Sequence, residues 1–328
     1  MPENPLLKVT DLVKHFPVGG GLLSKPTSWV KAVNGVTFEV AKGESFGLVG
    51  ESGCGKTTLG RMVMRLLDPT AGTIMLNGKD ITRLSRPALR PLRRQMQIIF
   101  QDPFSSLDPR MKVEGIVTEP LKAHERMTRG ERRETAVGLL EKVGLRAGDL
   151  DKYPHEFSGG QRQRIGIARS LCVRPQLIVA DEPVSALDVS IQAQVINLLE
   201  DLRNEFDLSY IFISHDLSVV EHMCDRIAVM YLGAIVETAP ADVFSVTPRH
   251  PYTRALLAAV PLPDPQGQVP PAPLEGDVPS PIDPPAGCAF HTRCPHVHKQ
   301  CRNERPVLTK SGEGHYVACW LNHGMGIE

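Results

Sequence analysis

Gly50-Glu51-Ser52-Gly53-Cys54-Gly55-Lys56-Thr57 combines three glycines, a cation and a hydroxyl at the spacing of a phosphate-wrapping loop. The glycines let the backbone curl so that successive N–H groups point inward at anionic oxygens, and a helix opening behind the loop adds its partial positive charge. Lys56 suits the β- and γ-phosphates of ATP, the Thr57 hydroxyl suits Mg²⁺, and Thr58 follows in the same turn. A pair of acids ends the apolar run 177–180: Asp181 can hold Mg²⁺ through its water shell, and Glu182 can orient and deprotonate an attacking water. Ser158-Gly159-Gly160-Gln161 sets two more glycines before a helical pattern, which makes a second anion site. The first loop already holds one nucleotide, so a second phosphate site on the same chain needs an explanation.

These residues need particular elements beneath them. Residues 30–49 read as two short strands joined at Lys42-Gly43, with Val36, Phe38 and Val40 alternating on the first, and the second runs straight into the loop. After Lys56, the apolar residues Leu59, Met62, Val63, Leu66 and Leu67 recur at helical spacing, and Asp68-Pro69 ends the pattern. Asn77-Gly78 signals a hairpin, and residues 130–172 read as mainly helical. LIVAD at 177–181 and YIFISHD at 210–216 are continuous apolar runs of strand length, as in a parallel sheet covered on both faces, with a helix over 189–206 between them. Prolines recur every few residues from 261 to 285 and read as a linker or surface strap. Residues 286–328 are poor in apolar side chains and lack a period, so they need a staple to become ordered.

Composition narrows the function classes. The 328 residues carry 37 Lys plus Arg against 37 Asp plus Glu, so the basic footprint of a nucleic-acid binder is missing. No run approaches the roughly 20 apolar residues of a membrane span, and MPENPLLKVTDLVKHF is not a signal peptide's apolar stretch, so the expectation is a chain that stays in the cytoplasm. Arginines at 83, 86, 90, 93, 94, 126, 129, 132 and 133 read as solvated helix faces.

Over about 250 positions these motifs resemble the ABC ATPase family. The resemblance implies an α/β fold: a P-loop NTPase (RecA-like) core with an antiparallel β subdomain, a helical signature subdomain at about 102–172, and a small irregular C-terminal metal-binding extension. It implies that Phe16 stacks on adenine, although Pro17 to Trp29 look like an insertion, and that Gln101 in FQDPFSSLDP touches the metal and its water where a membrane partner docks. FSGGQ matches the family signature with Phe157 in place of the commoner Leu. Ser185-Ala186-Leu187-Asp188 matches the D-loop, and His215 matches the histidine that bonds the γ-phosphate. Two such subunits join head to tail, each signature capping the ATP in the other's loop.

RHPYTRALLAAVP at 249–261, the segment GDVPSPIDPPAGCAFHTRCP and the final VACW resemble the ATPase subunits of dipeptide and oligopeptide importers, whose relatives also import nickel chelates, glutathione or haem. This resemblance implies two transmembrane permease subunits, a second related ATPase as a heterodimer partner, an extracytoplasmic peptide-binding protein and a place on the cytoplasmic face of the membrane. Cys288, Cys294, Cys301 and Cys319 lie at C-x5-C-x6-C-x17-C, a four-thiolate set whose spacing names no metal. The family implies a [4Fe-4S] cluster there; Zn²⁺ is the alternative, with His291, His296 and His298 as substitutes. Cys54, Cys172 and Cys224 read as loop or packing residues. The domains expected are the nucleotide-binding domain at 1–250, a helix and linker at 251–285, and the Cys-rich extension at 286–328. A soluble ABC ATPase switch of DNA repair or translation would carry two cassettes or long coiled-coil insertions, and an exporter would often fuse its membrane domain; neither feature is present in the sequence.

Overall fold

The computed structural model describes residues 4–19, 26–259 and 276–322. Most of the proline-rich strap and part of the Pro17–Trp29 insertion therefore lie outside the described residues. Contacts divide the chain into two compact units, one of Met1–Leu6, Val40–Ser45 and Arg83–Ser214, the other of Leu7–Glu39, Phe46–Thr82 and His215–Glu328.

The first unit is built on three parallel strands, Met96–Ile99, Leu177–Asp181 and Ser209–Ile213, in the register Ile99 to Ala180 and Asp181 to Ile213. The last two are buried at every residue, which is why both read as unbroken apolar runs. The helix Val189–Phe206 has the bounds its sequence pattern predicts, and Leu199, at its buried face, accepts a hydrogen bond from the Tyr210 hydroxyl. Over 113–171 the chain is mainly helical. Thr128 and Glu131 form a reciprocal cap that starts the helix Arg129–Lys142, which packs on the helix Gly159–Leu171. The arginine-rich stretches are not simply solvated faces. Arg90 donates to the Ala123 carbonyl, and Arg133 bridges Glu114 at 2.6 Å and Asp151 at 2.7 Å.

The second unit contains an antiparallel sheet of Ser28–Val40, Leu7–Val18, Ala71–Leu76 and Lys79–Asp80, in that order. Asn77 and Gly78 both take positive φ, 48° and 74°, the primed turn that the Asn-Gly pair signals. In its other sheet Ser45–Val49 runs parallel to Arg226–Tyr231, which pairs antiparallel with Ala234–Pro240. The helix behind the phosphate loop spans Lys56–Val63 and is shorter than its apolar pattern. Arg65 turns to φ 52°, held by bonds from its guanidinium to the Ile81 carbonyl and Asp68, so Leu66 lies beyond the helix and is 44% exposed. The helix ends at this left-handed turn, where the Arg65 guanidinium is bonded to a carbonyl 16 positions away, a contact to which sequence periodicity has no access.

The tail also differs from expectation. Within 276–322 it is ordered without a core of its own, by joining the rest of the unit. Tyr316–Val317 pairs with Ala234–Pro240, and Phe290 is buried against Tyr231 and Tyr252, ring centroids 5.4 Å from each. Glu237, fully buried, accepts from the backbone N–H groups of Arg249 and His250 and lies 2.7 Å from His315 Nε2. His250 Nδ1 in turn accepts from the Tyr252 N–H and caps the helix Pro251–Ala258.

Burial holds the His250 pKa down to about 3. The unfolded chain takes up this proton below about pH 6.5 while the folded chain refuses it, so stability declines as pH falls from that value toward the folded pKa. The melting temperature is expected to drop on acidification from about pH 7 to about pH 5, with a shallower slope in His250→Asn, which keeps an acceptor but does not titrate. Equal slopes for the two proteins would contradict this assignment.

Candidate functional site

In the second unit the phosphate loop has the strain that its glycines predict. Gly50, Gly53 and Gly55 have φ of 148°, 78° and 107°. A Cβ on Gly50 would stand 2.2 Å from the Met230 carbonyl oxygen, and one on Gly55 would stand 2.1 Å from that of Ala32. Both positions thus require glycine for backbone angle and for space. The loop is fastened by the Gly233 N–H, which donates to the Cys54 carbonyl at 2.9 Å. Lys56 is 5% exposed, and its ammonium donates to the carbonyls of Gly50 (2.6 Å) and Glu51 (3.0 Å), which holds the cation inside the curl of the loop. Burial raises the Cys54 thiol pKa, with neighbouring Lys56 opposing it, so this cysteine is a packed, protonated wall residue. Thr57 and Thr58 fall in the first turn of the helix, and Ser52 and Gly53 are exposed at the loop's tip. His215 lines one cleft together with Gly50 and Glu51, which puts an imidazole beside the start of the loop. Phe16 lies near the end of its strand, half-buried, with the Lys14 ammonium 5.1 Å from its ring centre.

The first unit gathers the other motifs. Asp181 is 3% exposed at the end of its strand. Glu182 takes the left-handed φ of 46°, strained for a side chain other than glycine, and its N–H donates to the Ile213 carbonyl. The Gln101 amide donates to Glu182 Oε2 at 2.7 Å, so two residues 81 positions apart meet. Ser158 and Gln161 cap the helix Gly159–Leu171 reciprocally, each side chain bonded to the other's backbone N–H. The helix start is thereby set without using the backbone N–H of Gly159 or Gly160 in the cap. A Cβ on Gly159 would lie 3.5 Å from Leu187, and one on Gly160 would lie 2.5 Å from Ile191 Cγ2, so the signature rests directly on the Ser185–Asp188 segment and its helix. The Ser185 hydroxyl donates to the Glu182 carbonyl, and Gln192 donates to the carbonyls of Val184 and Leu187, which fixes Ala186 and the rest of this segment.

The four tail cysteines, with His291 and His296, line one pocket in the second unit. Burial and the neighbouring thiols push Cys288 and Cys319 up to about 11, and burial raises Cys294 as well. Among the described residues, however, no three or more His, Cys, Asp or Glu are drawn together as the ligands of a metal ion. The sequence-based metal assignment therefore gains a shared pocket and soft donors, without a ligand shell. His298 lies before the helix Lys299–Asn303 and does not line the pocket. Cys54, Cys172 and Cys224 are buried and do not line it.

Two residues beside the loop escape sequence reasoning. The Glu51 N–H donates to the Tyr252 hydroxyl at 2.9 Å, and its carboxylate is paired with Arg293 at 2.8 and 3.1 Å. The RHPY and FHTRCP strings carry these residues, but a link across 201 and 242 positions has no local signal.

Residues 33–185 match the family described as ABC transporter, and residues 236–301 match that described as oligopeptide/dipeptide transporter, C-terminal region. The chain is 54% identical over 317 residues to the probable peptide ABC transporter ATP-binding protein y4tS of Sinorhizobium fredii, covering 97% of this chain and 90% of that one. It is 51% identical over 322 residues to the oligopeptide transport ATP-binding protein AppF of Bacillus subtilis, covering 97% and 98%. Among solved structures it resembles the dimeric form of MJ0796, described as a bacterial ABC transporter cassette, with TM-score 0.65, 27% identity and coverage of 72% of this chain and 98% of that one.

The contact of the signature with the next helix gives a direct test. Gly160→Ala should cost about 1–3 kcal/mol in denaturant unfolding, and Ile191→Ala should remove the clash. The double variant is expected to be more stable than the sum of the single losses by about 1 kcal/mol; strict additivity would exclude the contact.

Proposed function

Because the chain belongs to the ATP-binding proteins of peptide ABC transporters, we propose that it is the ATP-hydrolysing subunit of an importer for dipeptides and oligopeptides. One observation carries the assignment. A glycine-lined loop closed around Lys56 occurs in the same chain as a second glycine pair, at the N-terminus of a helix and seated on the Ser185–Asp188 segment. One chain thus supplies two unlike half-sites for nucleotide.

In this reading the backbone N–H groups of residues 50–57 cradle the phosphates, Lys56 neutralises the β- and γ-oxygens, and Phe16 stacks on adenine. Thr57, Asp181 and Gln101 would hold Mg²⁺ and its water, and the ion would supply positive charge to the transferred phosphoryl group. Glu182 takes the proton of the attacking water; its bond from the Gln101 amide fixes the carboxylate oxygen that is not needed for this. His215 donates to the γ-phosphate and reports its loss on hydrolysis. The signature Ser158–Gln161 caps ATP in the loop of a second cassette joined head to tail, a related chain in a heterodimer, with Ser185–Asp188 at the joint. ATP closes the pair, and hydrolysis lets it part.

Two permeases and an extracytoplasmic peptide-binding protein complete the machine, and the ATPase sits peripherally on the cytoplasmic face. Among the described residues no helix is long and apolar enough to cross a membrane. The domain reading is a cassette at 1–250, a linking helix and strap at 251–285, and an extension at 286–328. In that extension Cys288, Cys294, Cys301 and Cys319 would hold a [4Fe-4S] cluster, supported by four soft thiols around one pocket. Bound there, it would supply a covalent staple for the tail; no step of ATP hydrolysis passes through it.

In the reconstituted transporter, Glu182→Gln should lower ATP turnover by about 100-fold or more while ATP binding persists; near-normal turnover would remove Glu182 as the base. Anaerobically purified protein should contain iron and sulfide in equal amounts with a brown absorbance, lost in Cys301→Ser. Colourless protein carrying zinc would replace the cluster with the ion.

A further inference from the structure

The thiol-bearing extension reaches the phosphate loop through one side chain. Arg293 is 5% exposed and makes two N–H···O bonds to the Glu51 carboxylate, which is itself 26% exposed. Three groups hold Glu51: Arg293 at its carboxylate, Tyr252 at its N–H and Lys56 at its carbonyl. Arg293 is in turn placed by a tightly wound segment. Its N–H donates to the Phe290 carbonyl, that of His291 to Cys288, and that of Cys288 to Cys301. Phe290 is packed against both Tyr231 and Tyr252, whose own ring centroids lie 4.7 Å apart in a tilted pair. The guanidinium therefore cannot move independently of the extension.

The second position of this loop is a poor place for a carboxylate. A negative charge beside a polyphosphate site repels the ligand, most strongly where water is scarce. A buried bidentate arginine cancels the charge and turns the carboxylate into an anchor.

We propose that Arg293 is a positioning residue for nucleotide binding: it neutralises Glu51 and holds the phosphate loop in its binding shape, so that the seating of the four-thiol extension sets nucleotide affinity. The inference rests on the assignment of Gly50–Thr57 as the ATP site. It separates from a mere tether because it depends on charge. A tether lost with Arg293 stays lost when Glu51 is also changed; an uncompensated charge does not.

The test measures the affinity of the full chain for a fluorescent ATP analogue. Arg293→Gln should raise Kd by about tenfold, and Arg293→Gln with Glu51→Gln should recover to within about threefold of wild type. Arg305→Gln serves as a control in the same extension, since it removes a bond to the Asn34 carbonyl and leaves Glu51 alone; its Kd should not change. Wild-type affinity in Arg293→Gln, a double variant no better than the single, or equal weakening by Arg305→Gln would each overturn the proposal. Lys56→Ala in the same assay should abolish binding; if it does not, the ATP-site assignment fails rather than the role of Arg293. Should Arg293→Gln not fold, Arg293→Met, which also removes the charge but keeps an apolar stem, carries the test by hydrogen exchange. Amides of residues 51–56 should then exchange faster than in wild type while those of strand Arg226–Tyr231 do not, and unchanged protection of the loop would refute the coupling.

Discussion

The close fit of a strained, side-chain-free loop against two backbone carbonyls is the constraint on which the second unit is organised. Gly50 and Gly55 approach the carbonyls of Met230 and Ala32 so closely that no Cβ fits. The strand Arg226–Tyr231 must then run beside Ser45–Val49, and the turn at Gly233 must supply an N–H to the loop. Lys56 closes the curl from inside by bonding two carbonyls of the loop it serves. The cation is thus held out of water by the curl of its own loop.

The first unit solves a different problem, the placement of polar groups at the end of a fully apolar sheet. Asp181 ends one buried strand, and Glu182 is forced into a left-handed turn just beyond it. That strain is tolerated because the Glu182 N–H is bonded to Ile213 and its carboxylate to Gln101. The signature helix is likewise fixed at its start by a reciprocal cap and underneath by the absence of a side chain on Gly160. Nearby, Gln192 ties the Ser185–Asp188 segment through the carbonyls of Val184 and Leu187.

The extension shows how a polar, cysteine-bearing tail becomes part of a folded unit. It adds two short strands, Tyr316–Val317 and then Thr309–Lys310, to an existing edge and one aromatic ring to an existing cluster, and it brings His315 to the buried Glu237. Because Arg293 meets Glu51 within this arrangement, the tail is continuous with the phosphate loop.

The apolar strands at 177–181 and 210–213, the glycine loop and the helix behind it, the helix at 189–206 and the hairpin at Asn77-Gly78 were legible in the sequence alone, whereas the strands Leu7–Val18, Arg226–Tyr231 and Ala234–Pro240 were not. The legible features rest on local rules: side-chain periodicity, glycine's access to positive φ, and fixed spacing within one turn. The early end of the helix at Val63, the ordering of the tail, the meeting of Gln101 with Glu182 and the double hold of Tyr252 and Arg293 on Glu51 were decided by tertiary structure. Each involves a contact between residues distant in sequence, the bond of Arg65 to the Ile81 carbonyl included, and its energy exists only once the chain has closed on itself. The same division applies to the thiols: sequence supplied four soft donors, and the fold alone put them around one pocket.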